Sequence, residues 1–529
     1  MDISEEKRYE HLSPFELKNK LINMAESHHQ KMMLNAGRGN PNWITMTPRQ
    51  GFFQLGLFAV GESRKNPHRP RLGSTPQAEG IAKRFQDYLK RNIYLAGIQF
   101  LQDAFVYARD ELKLDLDEFI KEITDAILGD YYPTPDRMLV NSEKIVHKYL
   151  EQEVLGGFSL GKFNLFATEG GTAAMDYIFN TLIENKLLHK GDKIALGTPI
   201  FTPYLEIPRL NDYRFVELYL EQDENNDWQY PDSEIEKLAN PQIKALFLVN
   251  PSNPTSVSMQ QATLNKLAEL VKTRRKDLII LTDDVYATFV NGFKSIAAVA
   301  PKNTILVYSY SKYFGATGWR LGVIGIHEDN VFDKKIAEFP ENIRKKLRER
   351  YGNVVLDPDN MKLIDRMVAD SRSVALNHTA GLSTPQQVLM VLFSLYCLID
   401  KEGAYKKETQ SIVTHRFKTL YSAVGIPHPD NEYDAHYYAT INILMLAKIR
   451  YSQEFADYLV NNYEPIDFVW RLAHEKSVVL MDGGGFDAPS MSVRVSLANL
   501  PDQSYENIGK AISELLEDYY KRWKSSSKI

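Results

Sequence analysis

The sequence predicts an α/β protein with a mostly parallel, seven-stranded sheet and a smaller α/β domain drawn from both chain ends. Three observations carry that expectation. Seven short apolar runs, KFNLFAT, KIALGTP, RFVELYL, IKALFLVN, DLIILTDD, TILVYSYS and RLGVIGIH, alternate with helix-patterned segments between residues 162 and 327. Residues of chemical interest stand directly after these runs, where open parallel sheets bind ligands. The chain has 529 residues, too many for one core, so two or more domains are expected.

Residues 13–34 read as a helix that Ser13 caps and Pro14 opens, with Phe15, Leu17, Leu21, Ile22 and Met24 on its apolar face. The turn LNAGRGNPNW follows, and residues 51–130 are helical in pattern around a basic loop, Arg64–Arg71. That loop lacks interleaved aromatic residues and reads as a solvated loop or subunit contact rather than a nucleic-acid surface. After the strand-rich region, Asp329–Arg372 is a charged helical insertion with a solvated face. An apolar helix from Thr384 leads into a C-terminal α/β region closed by the helix SYENIGKAISELLEDYYKRW. The expected division is 1–130, an added helical region contributing to the small domain; 131–380, the large domain; and 381–529, a linking helix and small domain.

Composition is that of an ordinary globular protein, 44% hydrophobic and 25% charged, and a net charge of −5 gives no reason to expect a polyanion partner. One cysteine, Cys397, excludes an intrachain disulfide framework; in its apolar run it reads as a packing residue. That run contains Ser394 and is short for a membrane span, and the polar, acidic N-terminus MDISEEKRYEHL is unlike a signal peptide. A soluble, cytoplasmic protein without a metal site, nucleic-acid partner or membrane partner is expected.

Five segments at strand ends read as one site. In ATEGGTAAMDYIF, Gly170, Gly171 and Thr172 open a helix whose free N–H groups favour a phosphate. Phe201 in TPIFTPY offers an aromatic face for a ring to stack on. Asn253 in LVNPSNPTS presents an amide donor between two prolines. Asp283 ends the apolar strand IILTDD, where a carboxylate needs a cationic or donor partner; Tyr286 follows, and Asp284 reads as a turn or capping residue. In SYSKYFGATGWRLG, Lys312 follows a strand, flanked by Ser309 and Arg320, which suit a phosphate. Together these fit pyridoxal 5′-phosphate: Lys312 bonds the aldehyde, Asp283 pairs with the ring nitrogen, and Asn253 and Tyr286 share the ring oxygen.

The order of these motifs resembles fold-type I pyridoxal-phosphate enzymes of the aspartate aminotransferase-like branch, from about Leu34 to Leu500. The resemblance implies that Tyr132 in GDYYPTP reaches the phosphate of a neighbouring subunit, and that Arg494 in RVSLANL binds the substrate α-carboxylate. The added segments, Arg49–Asp130 and Asp329–Arg372, make the subunit similar to the aspartate 4-decarboxylases. Those enzymes convert L-aspartate to L-alanine and CO2, transaminate with 2-oxo acids as a side activity, and form large homo-oligomers built from dimers, up to a dodecamer. The slot for the arginine that holds a distal carboxylate falls at Thr379, while Arg38 stands between two glycines where it can engage the β-carboxylate. A weaker hold on that carboxylate favours its loss as CO2. The alternatives are an aspartate or aromatic amino-acid aminotransferase, and a cofactor-binding transcriptional regulator, for which residues 1–130 lack a basic recognition helix.

Overall fold

The computed structural model describes residues 9, 12–26, 33–64, 72–372 and 381–526. Strand β1 (Leu34–Asn35) precedes the seven strands of the main sheet: β2 (Phe163–Thr168), β3 (Lys193–Thr198), β4 (Val216–Glu221), β5 (Ile243–Val249), β6 (Ile279–Asp283), β7 (Thr304–Ser309) and β8 (Gly322–His327). Their order is β2-β8-β7-β6-β5-β3-β4. All neighbours are parallel except β8, which runs antiparallel to both β2 and β7. Each strand coincides with one of the apolar runs, and β5 to β8 are buried nearly throughout, as a sheet covered on both faces requires.

Side chains alternate between the faces of this sheet. Ile279, Leu281, Ile305 and Val307 join a core with Ile178, Phe179 and Met367, whereas Ile280 packs with Leu246 and Leu264 on the opposite face. Met367 lies on the helix Leu363–Ser371, so the charged insertion buries an apolar stripe on the sheet. Its charges are not all solvated as expected, since Arg366 and Asp370 are buried and Asp370 accepts from Thr181 Oγ1 at 2.9 Å.

The N-terminal helices Thr47–Ser63, Ile81–Arg91, Ile98–Asp110 and Leu116–Leu128 share a core with the apolar helix Thr384–Ile399. Local chemistry sets the last of the four: the Asp115 carboxylate accepts from Glu118 N at 3.0 Å, and Gly129 ends the helix at φ +67°. Cys397 is buried in this core. Along Thr47–Ser63, Phe53, Leu57 and Val60 form an exposed apolar stripe.

A second core joins the chain ends, with Leu17 and Leu21 packed among Ile441, Val493 and Leu515. Its sheet is β9 (Tyr438–Asn442), β11 (Met481–Asp482) and β12 (Ser492–Ser496), in the order β11-β12-β9, all antiparallel. β1 pairs in parallel with β10 (Val478–Val479). Leu34, placed by the periodicity at the end of the first helix, therefore belongs to a strand; the described helix is Pro14–Glu26. Pairing with Val478 supplies backbone hydrogen bonds that the helical pattern does not anticipate. Among the described residues, no helix is long and apolar enough to cross a membrane.

Candidate active site

The carboxyl ends of the parallel strands open onto a cavity of about 250 Å³. Register explains why its parts meet. Gly322, the first residue of antiparallel β8, sits opposite both Thr168 and Ser309, so Gly170, Ser309 and Arg320 collect at one corner. A β-carbon on Gly322 would lie 2.6 Å from the Gly170 backbone, which makes glycine obligatory at this crossing. Gly170 itself adopts φ +93°, and the helix Gly171–Glu184 starts there with its N-terminus toward the cavity. The Ser309 hydroxyl donates to Ser311 Oγ at 3.0 Å, and Arg320 Nη1 donates to Thr317 O at 2.9 Å. Hydroxyls, a guanidinium and helix N–H groups thus face the same end of the cavity.

At the other end, Asp283 is buried and forms no ion pair among the described residues; its Oδ1 accepts from Val285 N at 3.3 Å. Burial pushes its carboxyl up to about 7, against the pull of the Val285 N–H, Lys312 and the Tyr204 hydroxyl. Asp284 opens the turn expected of it, its carbonyl accepting from Ala287 N at 3.0 Å. It is fully buried, accepts from Thr282 Oγ1 at 2.5 Å, and burial pushes its carboxyl up to about 8. Successive residues at the end of β6 face opposite ways, so Asp283 lines the cavity and Asp284 does not.

Lys312 lies between the two ends. Its Nζ donates to Gly39 O at 3.1 Å, and burial, opposed by Tyr438, holds its pKa below the ordinary lysine value. The turn expected around Arg38 is built from carbonyls that serve this site: Gly39 O also accepts from Tyr437 at 2.8 Å, and Gly37 O accepts from Arg494 Nη2 at 2.9 Å. Arg38 itself is exposed and does not line the cavity. Arg494 is buried, with its guanidinium 4.3 Å from the Tyr438 ring centre and 4.8 Å from that of Phe486. Its Nη1 donates to Asn253 Oδ1 at 3.0 Å, while Nε has no partner among the described residues. Lys18 stands nearby, its pKa lowered by burial and then by Arg38 and Arg494. Lys18, Arg38 and Arg494 thus gather positive charge at this side of the cavity, with Glu16 the acid that acts on Lys18.

The model for aminotransferase class I and II matches residues 164–512. A bifunctional aspartate aminotransferase and L-aspartate beta-decarboxylase from Pseudomonas sp. is 47% identical over 520 residues, 98% of either chain. The chain belongs to the aminotransferase class I and II family. A shorter member, an aspartate aminotransferase from Sulfurisphaera tokodaii, is 29% identical over 35% of this chain and 45% of its own. Among solved structures, aspartate aminotransferase from Thermus thermophilus with maleate superposes with a TM-score of 0.57 at 16% identity, covering 95% of this chain and 96% of that one. A putative kynurenine aminotransferase from Saccharomyces cerevisiae gives 0.59 at 16%, covering 96% of each. These superpositions establish the shared fold.

Within this family fold, Gly171, Thr172, Phe201, Asn253, Asp283, Tyr286, Ser309, Lys312, Arg320 and Arg494 all line the one cavity, and Gly170 borders it. Phe201 meets Phe15 edge-on at 6.2 Å. The donor set fits pyridoxal phosphate: a phosphate corner, a buried carboxyl lacking a cation, and a lysine between them. Tyr132 is 63% exposed and does not line its own chain's cavity. Thr379 and residues 65–71 of the basic loop lie outside the described residues. Sequence reasoning missed Tyr437, Tyr438 and Ser311. Ser311 stands inside the quoted lysine motif, and the doubled tyrosine that enters strand β9 was the one visible signal of the other two, which reads equally well as a core strand.

Proposed function

We propose that the chain carries pyridoxal phosphate on Lys312 and converts L-aspartate to L-alanine and CO2, with transamination of aspartate as a side activity. The carrying observation is the similarity to the bifunctional Pseudomonas enzyme along 98% of both chains. That match takes in residues 49–130, which lie outside the segment covered by the family model. When bound, the cofactor supplies an electron sink, and Asp283 holds the proton on its ring nitrogen. Lys312, with its amine pKa lowered by burial, takes and returns the proton at the substrate Cα. Arg494 holds the α-carboxylate through its unpartnered edge. Lys18 and Arg38 draw a second carboxylate to the mouth, where exposure keeps the hold loose enough for departure as CO2.

The assembly we propose is a cytoplasmic homo-oligomer built from dimers, with residues 131–380 as the cofactor domain. Two features support the association of subunits: Tyr132 does not line its own cavity, and the Phe53, Leu57 and Val60 stripe is exposed. Incubation with L-aspartate and pyridoxal phosphate, without a 2-oxo acid, tests the reaction. Continuous release of alanine and CO2 is expected. Turnover of aspartate only when a 2-oxo acid is added, with oxaloacetate as product, would make the protein a plain aminotransferase.

A further inference from the structure

We propose that Tyr438 is a positioning residue that aims the Tyr286 hydroxyl at the ring oxygen of the cofactor and is itself fixed by Arg494. The proposal rests on the cofactor reading above and assigns a buried hydroxyl of the cavity that the reading leaves unused.

Tyr438 enters the cavity from β9, in the core that joins the chain ends, whereas Tyr286 follows β6 of the main sheet. Their hydroxyl oxygens are 2.9 Å apart, and both side chains are buried. Each hydroxyl has a single proton. If Tyr286 spends its proton on the ring oxygen, the bond between the two tyrosines must be donated by Tyr438. Tyr438 therefore dictates which way Tyr286 points, and donation into its oxygen makes Tyr286 a stronger donor in turn.

The other side of Tyr438 is equally constrained. The Arg494 guanidinium lies over its ring, and the same guanidinium fixes Asn253 through Oδ1, which leaves the Asn253 NH2 group as the end that can serve the ring oxygen. Arg494 thus touches both donors to that oxygen, Asn253 directly and Tyr286 through Tyr438. The Tyr438 hydroxyl and Lys312 Nζ also flank Gly39 so closely that no β-carbon fits there. The charged or titratable groups around the pair are Tyr437, Arg494 and Lys312, with Arg320 and Asp283 acting on Lys312 as well.

The test reads the visible absorbance of the Lys312–cofactor linkage in substrate-free enzyme as a function of pH. Donors at the ring oxygen draw electron density from it and loosen the linkage proton, so weakening them moves the titration to higher pH. Tyr438→Phe keeps the ring beneath Arg494 and is expected to raise the midpoint by about half a pH unit, less than Tyr286→Phe does. The double variant should match Tyr286→Phe alone, because Tyr438 acts only through it. Tyr437→Phe removes the adjacent hydroxyl, which bonds Gly39 instead, and its shift should add to that of Tyr286→Phe. An unmoved midpoint in Tyr438→Phe, additive shifts in the double variant, or a folded Tyr438→Phe protein without the band would each overturn the role. A wild-type protein without the band, or a band that survives Lys312→Ala, would instead defeat the cofactor reading, and the proposal with it.

Discussion

Arg320 packs its guanidinium against Gly170 so tightly that a β-carbon at residue 170 would overlap it. Gly170 also sits at φ +93° and ψ 174°, a conformation essentially reserved for glycine. Gly170→Ala must therefore displace Arg320, the arginine proposed to hold the phosphate, and strain the start of the helix. With roughly 1–3 kcal/mol of strain drawn from the phosphate corner, cofactor affinity should fall about 10- to 100-fold. Titrating the apoprotein with pyridoxal phosphate measures this. Gly318→Ala, with open space around its β-carbon, serves as the neutral comparison. Equal affinities for the two variants would show that the corner does not hold the phosphate.

Asp283 makes the apoprotein sensitive to pH. Its carboxyl keeps a proton to about pH 7 in the folded chain and to about pH 4 when unfolded, so unfolding releases a proton in that window. Stability of the apoprotein should then decline as pH rises from 4 to 7, by about 4 kcal/mol at most. Asp283→Asn cannot ionise and should show a shallower decline, with the share from buried Asp284 remaining in both proteins. Denaturant unfolding of both apoproteins at pH 5 and pH 8 reads the difference. Cofactor should stabilise wild type more than the variant at pH 8, since its ring nitrogen gives the carboxylate a cation. Parallel pH dependence in the two proteins would exclude the assignment.

The seven strands and the residues that gather at one corner of the cavity were legible because each depends on short-range pattern. An apolar run followed by Gly-Gly-Thr, Asn-Pro or Ser-x-x-Lys is visible without knowing what packs against it. The Tyr438 contacts were not legible, since they arise from β9 meeting the loop after β6, 152 residues earlier in the chain. Asp284 opens a turn as expected, but the burial of its side chain was not legible for a related reason. Strand alternation turns it into the core, where Thr282 Oγ1 donates to Oδ1 and Oδ2 has no partner among the described residues. Leu34 shows the same limit, because its strand partner Val478 lies near the other end of the chain.

Arg494 is held by geometry that lysine cannot reproduce. Its planar group lies over Tyr438 and Phe486 while donating to Gly37 O and Asn253 Oδ1. Arg494→Lys keeps the charge and loses the fork, so the half-saturating aspartate concentration should rise about 30- to 100-fold, as expected for loss of a charge-assisted pair of bonds. The Lys312–cofactor absorbance should persist, which separates substrate binding from cofactor loading. Steady-state kinetics with varied aspartate provide the measurement, and an unchanged half-saturation would remove Arg494 from the carboxylate site.

Tyr132 provides the sharpest test of how the active unit is composed. It is exposed on its own chain, yet the proposed assembly uses its hydroxyl on the phosphate held by a partner subunit. Lys312→Ala and Tyr132→Ala should each be nearly inactive as homo-oligomers. When the two are refolded together, a mixed dimer contains one site with both residues intact and one with neither. Random pairing makes half the dimers mixed, so about a quarter of wild-type activity should return. The regained activity should also track the fraction of mixed dimers separated by differently charged tags. If Tyr132 served its own chain, every site in the mixture would lack either the lysine or the tyrosine, and no activity would be regained.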